Sequence, residues 1–221
     1  MENPDSTYRY RIYYKKGEAI RYIGHLDLHR AWERSLRRAG LPMTFSQGYH
    51  PQPRMQQACA LPLGFTSLGE VIDVWLVNEY SPAEIQQALN RAVPPGLEIT
   101  AIEMVDLKSP PLQTRVRSSR YLATLLDPAK GDEVIARVTD LLNSTSLPRE
   151  RRGKSYDLRP LIEALSADDC VEQPGKVRIH MLLSAREGAT GRPEEVLESL
   201  GLDPLGAQIQ RVELVFADPR G

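Results

Sequence analysis

The sequence predicts an α+β fold built from two tandem ferredoxin-like βαββαβ halves, and three observations carry that expectation. Apolar residues recur with a period of two in several short segments, as in half-buried strands. Between those segments they recur at helical spacing, and the order β-α-β-β-α-β then repeats once after a proline-containing stretch. The expected halves are residues 8–106 and 119–217, with 107–118 as linker. They are expected to pack as one body, because each alone is small for an independent core.

The first strand is read over residues 8–15, where Tyr8, Tyr10, Ile12 and Tyr14 alternate with Arg9, Arg11, Tyr13 and Lys15. Residues 25–40 place Leu28, Ala31, Trp32, Leu36 and Ala39 on one helical face and Arg30, Arg34, Arg37 and Arg38 on the other, with Gly40 as the stop. A strand begins at residues 41–46, is interrupted by a loop containing Pro51 and Pro53, and resumes over 55–60, with 70–77 as its neighbour. Ser81-Pro82-Ala83-Glu84 is a capping box that opens the second helix, and 97–105 alternates as the fourth strand. In the second half, strands are expected at 120–126, 154–158, 176–185 and 208–216, with helices at 132–143 and 193–200.

Composition bounds the function. Over 221 residues, 41% apolar with 26% charged describes a folded protein, and no run of about 18 apolar residues exists to cross a membrane. The beginning MENPDSTYRY lacks the basic-then-apolar pattern of a secretory signal, which places the protein in the cytoplasm as an expectation. Cys59 and Cys170, the two cysteines, make neither a disulfide framework nor a cluster ligand set. No Walker loop, Rossmann glycine fingerprint or G-x-S-x-G elbow occurs. His25 and His29 lie one helical turn apart, but no second ligand group accompanies them, so neither metal nor cofactor is expected.

Net charge is −1, yet arginine and lysine outnumber acids through the first sixty or so residues. The arginine ridge, Arg9 and Arg11 on strand one, and Arg54 behind the proline loop stand among Tyr8, Tyr10, Tyr13, Tyr14, Tyr22 and Tyr49. Guanidinium forks bind phosphate and aromatic rings stack bases, so this composition suits RNA. The expected RNA-binding residues are Arg30, Arg34, Arg37, Arg38, Tyr49, His50 and Arg54, with Arg151, Arg152 and Lys154 from a second basic run. The ridge and loop are expected to form one surface, the loop lying by the first turn of the helix. The plainer reading is a solvated helix face. His25 and His50 together are also candidates for an acid–base pair in metal-independent RNA cleavage, because imidazole titrates near neutrality; the plainer reading of both is local hydrogen bonding.

Several motifs occur in one order: His25-Leu26-Asp27, Arg30, Glu33-Arg34, Arg37 to Gly40, Ser46-x-Gly48-Tyr49-His50-Pro51-x-Pro53, Leu61-Pro62-Leu63-Gly64 and Gly69-Glu70. In the second half come residues 154–165, which include Asp157 and Arg159, and Thr190-Gly191-Arg192-Pro193. Together they resemble the radical-SAM-associated family, a bacterial domain of unknown function fused behind or encoded beside cobalamin-binding radical-SAM proteins. Gln52 stands where that family commonly has a second histidine. The resemblance implies an accessory module with a radical-SAM partner, in tRNA or rRNA processing or modification, and structural roles for Asp27, Pro51, Pro53, Gly64, Glu70, Asp157 and Arg159. A protein-binding scaffold without RNA contact is the remaining alternative.

Overall fold

The computed structural model describes residues 7–171 and 173–217. The chain is α+β, mostly β-sheet, and divides into two compact units that meet in sequence between Arg115 and Val116. No helix among the described residues is long and apolar enough to cross a membrane.

In the first unit β1 (Tyr8–Lys16) lies antiparallel between β3 (Thr66–Leu76) and β4 (Leu97–Val105), and β2 (Met55–Gln57) flanks β3, giving the order β2-β3-β1-β4. Helices α1 (His25–Arg38) and α2 (Pro82–Asn90) supply Leu28, Trp32, Leu36, Ile85 and Leu89 to a core with Tyr10, Ile12, Tyr14, Ile72, Val74 and Leu76. Ile12 faces Ile72 on one side and Ile102 on the other, which fixes the register, since a slip of one residue would turn the whole apolar set outward. Tyr14 meets the Trp32 ring edge-on at 4.8 Å. Helix α1 ends in a Schellman turn: Gly40 adopts φ +70°, its N–H reaches the Arg37 carbonyl at 3.1 Å, and the Leu41 N–H reaches that of Leu36 at 3.1 Å. The predicted capping box at Ser81 and Glu84 is present in full.

The other side of strand one departs from expectation. Arg9 and Arg11 are not on a solvated face but buried against Asp73, itself fully buried. Asp73 Oδ2 accepts from Arg9 Nη2 at 2.6 Å and Arg9 Nε at 2.9 Å, while Oδ1 accepts from Arg11 Nε at 2.9 Å. The expected linker is part of the same packing. Arg9 donates to the carbonyls of Ser109 and Pro110, the Leu112 N–H donates to Gln56 Oε1 at 2.8 Å, and Leu112 is fully buried. Residues 112–115 form the short helix α3 (Leu112–Arg115), and the next strand starts at Val116. Residues 109–112 are thus held against the first unit by Arg9 and Gln56.

The second unit contains β5 (Val116–Leu125), α4 (Gly131–Asn143), β6 (Pro148–Arg151), β7 (Lys154–Asp157), β8 (Ile162–Asp169), β9 (Val177–Arg186), β10 (Ala189–Thr190), α5 (Pro193–Ser199) and β11 (Ala207–Phe216). Its antiparallel order is β8-β9-β5-β11, with the two-residue β10 also on β9. The expected sheet strand at 154–158 is corrected: β7 pairs only with β6, in a separate hairpin, and the sheet position belongs to β8. Polar Glu163, Ser166, Asp168 and Asp169 hid β8 from a hydrophobic pattern, because the strand buries only Ile162 and Leu165.

Candidate nucleic-acid interface

Helix α1 presents Arg30, Arg34, Arg37 and Arg38 to solvent, because the residues that alternate with them, Leu28, Trp32, Ser35 and Leu36, are drawn onto the sheet. Arg30 pairs with Asp27 at 3.2 Å and Arg37 with Glu33 at 2.8 Å, both within the helix. Arg34 and Arg38 join no ion pair among the described residues. Exposed intrahelical pairs contribute only about 0.3–0.5 kcal/mol, so Arg30 and Arg37 can exchange their carboxylates for a phosphate at little cost.

The proline loop is an excursion from an edge strand. Before it, Met43 bridges Leu76 and the Thr44 N–H donates to the Trp75 carbonyl at 2.8 Å; after it, Met55 pairs with Val74. Its base is closed by the Phe45–Pro53 bridge, by the Ser46 N–H on the Gln52 carbonyl at 2.8 Å and by the Gln52 N–H on Ser46 Oγ at 2.9 Å. Buried Pro53 anchors the base, and exposed Pro51, Tyr49 and His50 occupy the tip, Tyr49 without any cover. Gly48 at φ +138° supplies the bend. A loop so constrained loses little further entropy on binding.

The loop does not sit at the first turn of α1. Its base lies at the level of Trp75, and Arg37, in the last turn of the helix, stands 6.0 Å above the Phe45 ring. A cleft of about 460 Å³ between Arg37, Leu41, Met43 and Phe45 marks this end. His25 starts the same helix and feels the carboxylate of Glu70. Fourteen residues at about 1.5 Å each put the two ends about 20 Å apart. The base of the loop that carries His50 therefore lies at the opposite end of α1 from His25. The His25 imidazole is held below its ordinary pKa by desolvation first and by neighbouring His29 second, with Glu70 opposing.

Arg54 is also separated from the ridge. Its guanidinium stands 5.0 Å from the centroid of Trp75, as does that of Arg9, on the sheet face that carries Asp73 rather than the face covered by α1. Among the tyrosines, Tyr10 and Tyr14 are core residues and Tyr13 donates to Glu103, so Tyr22 and Tyr49 are the ones widely exposed. Phe45, which sequence reasoning passed over, is 45% exposed beside Arg37. A large aromatic residue following a strand and preceding a proline loop was its available signal.

The motif residues have structural work. Gly64 adopts φ +83° and its N–H donates to the Arg21 carbonyl at 3.0 Å, a conformation that a side chain would strain. Glu70 is buried at 2% exposure, near the level where Lys16 Nζ donates to the carbonyls of Arg21 and Phe65. Asp157 Oδ1 accepts the N–H groups of Leu147 at 2.7 Å and Arg159 at 2.9 Å, which hold its carboxyl below the usual range. Arg159 donates to the carbonyls of Leu142 and Ile162. Arg152 adopts φ +49° at the tip of the β6–β7 hairpin and is exposed, as is Lys154, while Arg151 is half-buried. Among the described residues no group of three or more His, Cys, Asp or Glu side chains is placed to hold a metal ion.

The model of a bacterial family described as uncharacterized protein conserved in bacteria, DUF2344, matches residues 9–193. No curated protein matches. Among solved structures, an unknown protein from Galdieria sulphuraria is 14% identical with a TM-score of 0.29, covering 96% of this chain and 100% of that one. A protein provisionally described as a glycine cleavage system transcriptional repressor is 12% identical with a TM-score of 0.24, covering 96% and 98%. One provisionally described as a monooxygenase from Lactobacillus acidophilus NCFM is 9% identical with a TM-score of 0.28, covering 97% and 100%. Likeness this slight carries neither fold nor activity to this chain.

Proposed function

We propose, for a chain that belongs to the DUF2344 family of uncharacterized bacterial proteins, that it is a cytoplasmic RNA-binding accessory module assisting a radical-SAM partner in tRNA or rRNA processing or modification. The observation that carries the RNA reading is the last turns of α1: Arg34 and Arg38 are exposed and join no ion pair among the described residues, and Arg37 and Phe45 continue that surface into a stiff loop tipped by Tyr49. Cations placed along a helix engage phosphates, and projecting aromatic rings stack unpaired bases. Arg30 lies at the margin of this surface, and Arg54 lies outside it, over Trp75 on the other face of the sheet. The radical-SAM partner follows from the family resemblance of the motifs, and two distant cysteines leave cluster chemistry to that partner.

We read each unit as a ferredoxin-like module. The orders β2-β3-β1-β4 and β8-β9-β5-β11, antiparallel throughout, support that reading, with the β6–β7 hairpin as an insertion in the second.

The test is retention of tRNA and rRNA fragments by the purified protein across a salt series with EDTA present. Binding without cleavage is expected, and replacing Arg34 and Arg38 together by Ala should lower the slope of log affinity against log salt, by roughly 0.7–0.9 for each phosphate no longer engaged. Unchanged affinity and slope in that variant would refute the assignment.

A further inference from the structure

The geometry points to a phosphate-monoester site in the second unit, in the cleft of about 410 Å³ between the β6–β7 hairpin and the turn that leads from β10 into α5. Three cations reach this cleft from separate segments: Arg151 at the end of β6, Lys154 at the start of β7 and Arg192 just before α5. None of them joins an ion pair among the described residues. Asp157 is the carboxylate in the lining, and it is engaged by the Leu147 and Arg159 N–H groups. Tyr156, also in the lining, donates its hydroxyl to Glu195. Glu194, which feels Arg151, is desolvated, and its carboxyl is pushed up by that burial.

Like charges gathered on one concave surface raise each other's energy until an anion joins them, which is the electrostatic signature of a site for negative charge. A phosphate monoester carries a charge of about −1.5 to −2 near pH 7, against −1 for a backbone diester, so three cations discriminate in favour of the monoester. The volume lies at the small end of the range for small-molecule pockets, enough for a phosphoryl group and an attached sugar. The site is preformed, because Arg149 donates to Ser199 Oγ and Tyr156 to Glu195, and these bonds fasten the hairpin to α5. The ligand is a phosphorylated small molecule or the terminal phosphate of a polynucleotide. Neither source depends on α1 binding RNA.

Calorimetric titration of the full chain with inorganic phosphate, adenosine 5′-monophosphate and adenosine tests the site. The monophosphate is expected to bind at least about tenfold more tightly than adenosine, and Lys154→Gln and Arg192→Gln each to weaken it by about tenfold, as expected for removing one charge-assisted hydrogen bond. Lys154 is exposed on a hairpin, so its substitution leaves the fold intact, and an unchanged melting curve verifies this for both variants. The Arg34→Ala, Arg38→Ala protein should bind the monophosphate as the parent does, which separates this site from the α1 surface. A 5′-phosphorylated RNA octamer that outcompetes its 5′-hydroxyl counterpart, and loses that advantage in Arg192→Gln, supports a polynucleotide end. Sensitivity of the small probes alone supports a free phosphorylated molecule. If neither phosphate nor the monophosphate binds, or if both folded variants bind as the parent does, the inference is overturned.

Discussion

Replacing Asp73 removes one carboxylate from between two buried guanidinium groups. Arg9 and Arg11 are 2% and 6% exposed and Asp73 is fully buried, so water cannot take over the missing interaction. The residual partners are unequal: Arg9 keeps the Ser109 and Pro110 carbonyls and the Trp75 ring, whereas Arg11 keeps Glu103 at 3.8 Å. Breaking a buried ion pair from one side costs about 3–5 kcal/mol. Asp73→Asn retains an acceptor and is expected near the lower end, and Asp73→Ala near the upper. Both tryptophans of the chain, Trp32 and Trp75, lie in the first unit, so fluorescence during urea unfolding reports that unit directly. At about 1–3 kcal/mol per molar urea, the midpoint should fall by on the order of 2 M. The companion variant Arg9→Met, Arg11→Met, Asp73→Leu removes all the charges together and is expected within ~2 kcal/mol of the parent, because no ion is left stranded. A loss below about 1 kcal/mol in Asp73→Asn would refute the claim that the carboxylate is what makes these arginines tolerable in the interior.

Gly96→Ala should destabilise the first unit by more than about 1 kcal/mol in the same urea assay, since Gly96 has φ +94° and an added Cβ would come within 2.9 Å of Ile20 Cγ1; a neutral effect would contradict the close approach. The lowered pKa of His25 means that the folded chain resists a proton the unfolded chain accepts near 6.5. Stability should therefore decline as pH falls from about 6.5 through the folded value, and His25→Gln should flatten that decline; parallel curves would dismiss the desolvation argument. Ser81→Ala, which dismantles the capping box, should cost about 1 kcal/mol by thermal melting, with Ser81→Asn close to the parent. In the RNA assay Tyr49→Ala should weaken binding by about 1–3 kcal/mol with the salt slope unchanged, as for a stacked base; a changed slope would reassign the residue to a phosphate contact.

Local chemistry was legible in the sequence wherever one residue type enforces one geometry. The apolar period of α1 put its arginines outside, Gly40 stopped the helix, the Ser81 box started the next, and the prolines forced an excursion from the strand at residues 41–57. What the sequence could not determine was where charge of ambiguous place would end. The alternation in strand one correctly separates Arg9 and Arg11 from Tyr8, Tyr10 and Tyr14, but their burial depends on Asp73, more than sixty residues away and brought opposite by antiparallel register. Likewise the spacing of His25, the arginines and the loop is silent on which end of α1 the loop meets; pairing of Thr44 and Met55 with the end of β3 decided that. The β8 strand and the basic cleft were hidden for the same reason. A strand is marked in sequence by the apolar area it buries, and a cleft exists only once segments remote along the chain, here residues 151–157 and 188–192, are folded against each other.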